Sequence, residues 1–291
     1  MTDVQPREQL ERVRDMALRR KVQFAEVRYA AVRHSGLMLQ DGRADRAGAG
    51  ERAGMGVRVL VDGAWGFAST ESADPADWLS SLADAVEMAK VSVERLEEPA
   101  VLADAPAVVD EVKASFEIEP TSVPMERKLA AVRGYEEASA RTAGEATANL
   151  MTGYNDSHQI EIVCNTRGTL VSSETVRTMV WHAITTQRGD LRQRGMEYWG
   201  RQAGFEVVEE TTAKELSVKA AERAVSLLSA RTAPAGKLPA VFHPSIAGLL
   251  VHEALGHNAE ADHVLSGQSI LEGKVGTQVA AECISIVDDA T

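Results

Sequence analysis

Cysteine is nearly absent from this sequence: Cys164 and Cys283 are the only two in 291 residues. Two thiols cannot build the multi-bridge framework that small secreted domains use in place of a large core. Aromatic side chains are scarce as well, at 4%, so the cores have to rest on Val, Leu, Ala and Ile. Basic residues number 31 against 43 acidic ones, a formal charge of −12. Phosphate contacts need a basic face, so this balance argues against direct nucleic-acid binding. No apolar run approaches the ~20 residues that cross a membrane. Met1-Thr2-Asp3-Val4 also lacks the basic-then-apolar start of a signal peptide. Together these absences point to a cytoplasmic protein with no membrane association. Nucleotide motifs are missing too. Gly54-Met55-Gly56 does not complete a dinucleotide-binding glycine pattern and precedes a strand, and there is neither a P-loop nor a G-x-S-x-G elbow.

What is present is globular in composition, with 44% hydrophobic and 25% charged residues. Apolar spacing predicts helices over 6–20, 74–96 (capped by Asp74 or Asp77), 121–141 and 212–230. Strands are expected at 26–32, 36–39, 54–61 and 64–68, the last two joined by the Asp62-Gly63 hairpin signal. Five more are expected at 146–154, 158–164, 168–173, 177–187 and 191–199, with Asn155-Asp156 and Arg188-Gly189-Asp190 read as turns. Two prolines mark 97–107 as a linker, and Ala233-Pro234-Ala235-Gly236 breaks the chain again. Helices and strands are grouped rather than alternating, which gives an α+β class with antiparallel sheet. Three domains follow: residues 1–100, an N-terminal α+β domain; 108–232, a helix plus antiparallel sheet; and 236–291, the beginning of a C-terminal metal-binding domain. In the last, strands are expected at 238–242 and 284–287 and a helix from about Ser245. Residues 288–291 read as a turn onto a further strand, as in a truncated chain.

The chemistry concentrates in His252-Glu253-Ala254-Leu255-Gly256-His257. Two imidazoles and a carboxylate on one buried, apolar helix suit a hydrolytic zinc site, with neutral nitrogen ligands and a proton acceptor for an activated water. The spacing is unusual, since zincin histidines stand at i and i+4 and these stand at i and i+5. At about 100° per residue, α-geometry would separate the rings by about 140°. A π-type turn between 252 and 257 would realign them, and Gly256 would make that distortion cheaper. Ordinary helix histidines beside a solvated carboxylate are the alternative. Glu260 either orients the His257 ring or is a plain surface residue. His263 stands at the metzincin offset but lacks the glycine that those enzymes carry at the position of Glu260. Cys283 falls in a strand-like run, where a small buried role fits better than ligation.

The run His252 to Asp262 resembles the signature of the TldD/PmbA metallopeptidases, also called modulators of DNA gyrase. Gly56 to Thr70 is similar to that family's N-terminal region, and Ser266-Gly267 through Asp289 to the segment after its motif. The resemblance implies that His252 and His257 bind Zn2+ and that Glu253 is the general base, as in the catalytic TldD-type member. It further implies a homologous PmbA-type partner subunit in an oligomer and unfolded proteins or peptides as substrates. The family's third ligand is a cysteine farther downstream, a position that Cys283 does not match. The competing expectation is a non-catalytic regulator of gyrase or of a toxin–antitoxin pair.

Overall fold

Two Asp-Gly pairs fold the N-terminal part of the chain into a three-stranded meander. In the computed structural model, which describes residues 4–287, Asp41 and Gly42 have φ of 49° and 78°, and Asp62 and Gly63 46° and 82°. Positive φ at both central positions is the type I′ geometry whose twist matches that of the flanking strands. Helix α1 (Val4–Arg19) leads into β1 (Phe24–Gln40), β2 (Arg43–Val61), β3 (Ala64–Thr70) and α2 (Pro75–Val93). Asp74 caps α2 by accepting the Ala76 amide at 2.8 Å, which settles the choice between the two candidate caps. The turn at Asp41-Gly42 was not foreseen, and β2 accordingly starts at Arg43 rather than Gly54.

The chain continues through β4 (Val109–Val112), α3 (Met125–Ala143), β5 (Thr147–Asn165), β6 (Leu170–Arg188), β7 (Leu191–Arg201), α4 (Glu206–Glu209) and α5 (Thr211–Leu227). One seven-stranded sheet results, in the order β3-β2-β1-β5-β6-β4, with β7 also on β6. Every pairing is antiparallel except β4 with β6. The class is therefore α+β with antiparallel sheet. Because β1 pairs with β5 along Glu26–Gln40, residues on both sides of the 97–107 stretch belong to one sheet and one compact unit, Met1–Arg231.

Helices α1, α2, α3 and α5 pack on one face of that sheet. Two glycines permit the closest approaches. A Cβ on Gly66 would lie 1.9 Å from the Ala85 carbonyl of α2, and one on Gly195 would lie 1.9 Å from the Ala220 carbonyl of α5. The apolar core follows the helices, from Leu10, Val27, Val57 and Leu82 beneath α1 and α2 to Tyr135, Tyr154 and Phe205 beside α3.

Asn155-Asp156 is not a turn. Strand β5 runs straight through it, because Asp156 is buried and fully engaged. Its Oδ1 accepts the Ser35 amide at 3.0 Å. Its Oδ2 accepts from the Ser35 hydroxyl, the Tyr154 hydroxyl and the Lys128 ammonium, each at 2.6 Å. Likewise, the expected gap between 173 and 177 lies within the continuous β6.

The second unit, Thr232–Thr291, holds α6 (Pro244–Val251), α7 (His257–Ala259) and α8 (Ala261–Leu265). The strands expected at 238–242 and 284–287 are irregular instead. Among the described residues of this unit no strand is present to complete their ladders, and Leu238, Val241 and Ile284 are exposed. The turn expected at 288–291 lies outside the described residues. Among the described residues, no helix is long and apolar enough to cross a membrane.

Two stability predictions follow from the polar groups under the helices. Lys128 is only 1% exposed, so Lys128→Met strands the Asp156 carboxylate and should cost about 3–5 kcal/mol in urea unfolding. An unchanged midpoint would show that the pair contributes nothing. His182 is buried with Thr152 Oγ1 on its Nδ1 at 2.8 Å, and burial pushes its pKa down to about 4. The unfolded chain, titrating near 6.5, takes up this proton first. Stability should therefore fall by up to about 3 kcal/mol as pH drops from about 6.5 towards 4. His182→Gln should remove that component of the pH dependence, and identical pH profiles would refute it.

Candidate metal centre

Pro244 has no amide to donate and sits at the first turn of α6, which makes His243 the cap. The His243 ring accepts the Ser245 amide through Nδ1 at 3.3 Å. The sequence reading started this helix near Ser245 and missed that role, although Pro244 marks it. From Val251 onward the backbone stays right-handed, but it widens over His252–Gly256 into a π-turn, and the His257 amide donates to the His252 carbonyl five residues back. The awkward i, i+5 spacing is thus absorbed as its geometry requires. The two imidazoles come face to edge with centroids 4.5 Å apart. One ligand atom each from His252, Glu253 and His257 can be chosen so that all lie within 4.8 Å of one another.

The His257 ring has a carboxylate on each side and is hydrogen-bonded on one. Its Nδ1 lies 2.9 Å from Glu260 Oε1, an orienting contact of the kind that fixes the tautomer of a ligating histidine. Its Nε2 lies 3.6 Å from Glu253 Oε2. The hydrogen bond to Glu260 and then the charge of that carboxylate raise the His257 pKa above its ordinary value. Glu260 reaches this position because α7 ends there: its backbone is extended, with φ −65° and ψ 130°. His263 does not join the pair. Its Nδ1 contacts the His257 carbonyl at 2.8 Å, and it groups instead with Glu260 and Asp262.

Two expectations about the surroundings are corrected. The helix bearing the motif is not buried, since Ile246, Leu249 and Leu250 are each about half exposed. Cys283 lies exposed in a turn rather than in a strand. Neither of the two candidate metal clusters among the described residues includes it. Two imidazole nitrogens with one adjacent carboxylate fit a divalent, nitrogen-preferring ion. The third protein ligand of a catalytic centre is not supplied by the described residues around the pair.

Three family profiles match in order: the PmbA/TldA metallopeptidase domain 1 over residues 25–91, its central domain over 118–228 and its C-terminal domain over 235–291. The chain belongs to the PmbA/TldD metallopeptidase family. Within that family it is 31% identical over 276 residues to a metalloprotease of Methanothermobacter thermautotrophicus, covering 95% of this chain and 59% of that protein. A zinc metalloprotease TldD homolog of Saccharolobus solfataricus is 27% identical over 84 residues, 29% of this chain and 19% of that protein. In fold, the chain is similar to a Bacteroides thetaiotaomicron protein named as a modulator of DNA gyrase. That structure matches with a TM-score of 0.77 at 18% identity over 97% of this chain and 63% of that one. The PmbA/TldD chain described here therefore spans a little under two thirds of the length of these broader matches.

Gly256 has φ −52° and ψ −57°, and a Cβ there would meet His252 Nδ1 at an ordinary 3.7 Å. The π-turn therefore does not need glycine, contrary to the expectation that glycine eases it. Gly256→Ala should keep metal affinity within about twofold and raise helicity, given a gain of up to ~1 kcal/mol in propensity. A loss of metal binding, read by titration with Co2+ absorption, would show that glycine is required.

Proposed function

We propose that the protein is a zinc-dependent peptidase acting on unfolded proteins or peptides, with His252 and His257 as metal ligands and Glu253 as general base. The observation that carries this reading is the π-turn. It brings both imidazoles and the carboxylate into one cluster despite a spacing that an α-helix would splay. Zinc, when bound, would lower the pKa of a water to about 7 and polarise the scissile carbonyl. The Glu253 carboxylate accepts the proton of the attacking water and returns it to the leaving amine nitrogen. Glu260 holds His257 through Nδ1, so that Nε2 presents its lone pair to the ion. A homologous PmbA-type subunit is the proposed partner, and the cytoplasm the proposed site of action.

The test is Glu253→Gln in the complete protein. Peptide hydrolysis should fall by about 10²- to 10⁴-fold, while zinc content, measured by elemental analysis, stays near that of the unaltered protein. Undiminished hydrolysis removes Glu253 from the chemistry. A protein that carries no zinc and is indifferent to chelators would instead be a non-catalytic regulator.

A further inference from the structure

The sheet of the first unit carries its helices on one face only, and the other face has a distinct composition. Register places Trp181 opposite Tyr198 and Ala183 opposite Met196, with Met179 two residues along the same strand. These side chains form a contiguous patch in which Met179 is 42%, Met196 45% and Tyr198 72% exposed. Its floor is flat. Trp181 lies across Gly153, where an added Cβ would come within 2.1 Å of the indole nitrogen.

Arginines flank this patch on β6 and β7, and another stands farther along the same face on β2. Arg177 is paired with Ser157, Arg194 with Thr185, Arg192 with Gln187 and Arg52 with Val32, all on the same face by register. All four are exposed and none makes an ion pair among the described residues. In a chain of net charge −12, a face with four unpaired cations is a local inversion of sign. None of the seven strands contains a lysine.

Tyr, Trp, Met and Arg without Lys is the composition that distinguishes protein–protein contact surfaces from ordinary surface. Methionine adapts to irregular side chains, and arginine pairs bidentately with carboxylates. The net charge of −12 disfavours a polyanion as long as a nucleic acid, which favours a short polypeptide. Docking the same face of a second copy would oppose arginine with arginine. We infer that the open face of the sheet binds an acidic polypeptide segment, with its carboxylates on Arg177, Arg192, Arg194 and Arg52 and its apolar side chains on Met179, Trp181, Met196 and Tyr198.

The test uses the 291-residue chain and fluorescence anisotropy of a labelled peptide that alternates Glu with Leu and Tyr. A second peptide carries Gln in place of every Glu, and unlabelled oligothymidylate serves as competitor. The acidic peptide should bind saturably and lose affinity as salt rises through the screening range. Arg177→Glu with Arg194→Glu should weaken it by about tenfold. Both positions are exposed, so the doubly substituted chain should melt as the unaltered one does. The salt titration of the unaltered chain reports the same electrostatics without any substitution. No binding, equal affinity for the Gln peptide, or an unaffected double variant would each overturn the proposal. So would oligothymidylate displacing the probe better than unlabelled acidic peptide. All of these residues lie in the first unit, so the measurement is independent of hydrolysis at the metal centre.

Discussion

A single buried carboxylate organises the first unit. Asp156 sits in the middle of β5, and its two oxygens gather a backbone amide and a hydroxyl from β1, a phenol from its own strand and an ammonium from α3. A charge in that position is tolerable only when paired and hydrogen-bonded on every side. The requirement fixes more than one contact. Strand side chains alternate, so a slip of one residue between β1 and β5 would move Asp156 to the open face and leave Lys128 alone under the helix. The register that avoids this also assigns every other residue its side. Thr152, Thr178 and His182 fall beneath the helices, while Gly153, Arg177 and Trp181 fall on the face that none of this unit's described helices covers. The division into a helix-covered core face and a cationic, aromatic outer face is therefore one choice of register, not two separate features.

The histidine-bearing segment follows a different logic. Its constraint is local: five residues separate the histidines, and the backbone has one inexpensive way to bring them round. The π-turn has ordinary right-handed helical dihedrals at both of its ends and closes on a local backbone hydrogen bond. This explains how the cluster can be arranged on an exposed helix whose apolar residues have little to pack against. Long-range burial fixes the sheet, whereas chain geometry alone fixes the histidine pair.

That contrast accounts for what was legible in the sequence. Asp62-Gly63 and an aspartate cap for α2, at Asp74 or Asp77, were readable because the residues themselves carry the conformational preference. The turn between His252 and His257 was readable because the spacing allows few solutions, whereas Glu260 stayed open between an orienting and a plain surface role, because proximity at i, i+3 does not show where the helix ends. Asn155-Asp156 was misread for a definite reason. A polar pair that favours turns looks the same whether it faces water or a buried lysine, and Lys128 and Ser35 are far away in sequence. Exposure of α6 was equally invisible, since an apolar helix looks buried whenever its packing partners are not in view. The strands expected at 238–242 and 284–287 failed similarly: apolar alternation signals willingness to pair, but pairing needs a neighbour.

The electrostatics of the histidine cluster tie its two carboxylates to one purpose. Glu260 meets His257 at Nδ1 and Glu253 stands near Nε2, and their contacts make the imidazole more basic. A field that stabilises a proton on Nε2 also stabilises a metal cation there, because both place positive charge at the same lone pair. An ion bound at His257, as the proposed function requires, would compete with that proton and release it to the degree that the ring was charged. Glu253 lies on the Nε2 side of that ring and is more than half exposed, so it is open to water. A carboxylate placed only to neutralise an imidazolium would gain by closer contact, as Glu260 does at 2.9 Å. The 3.6 Å separation at Nε2 is too long for a hydrogen bond, so Glu253 does not tie up that nitrogen as Glu260 ties up Nδ1, and an ion of the proposed kind would meet Nε2 unengaged.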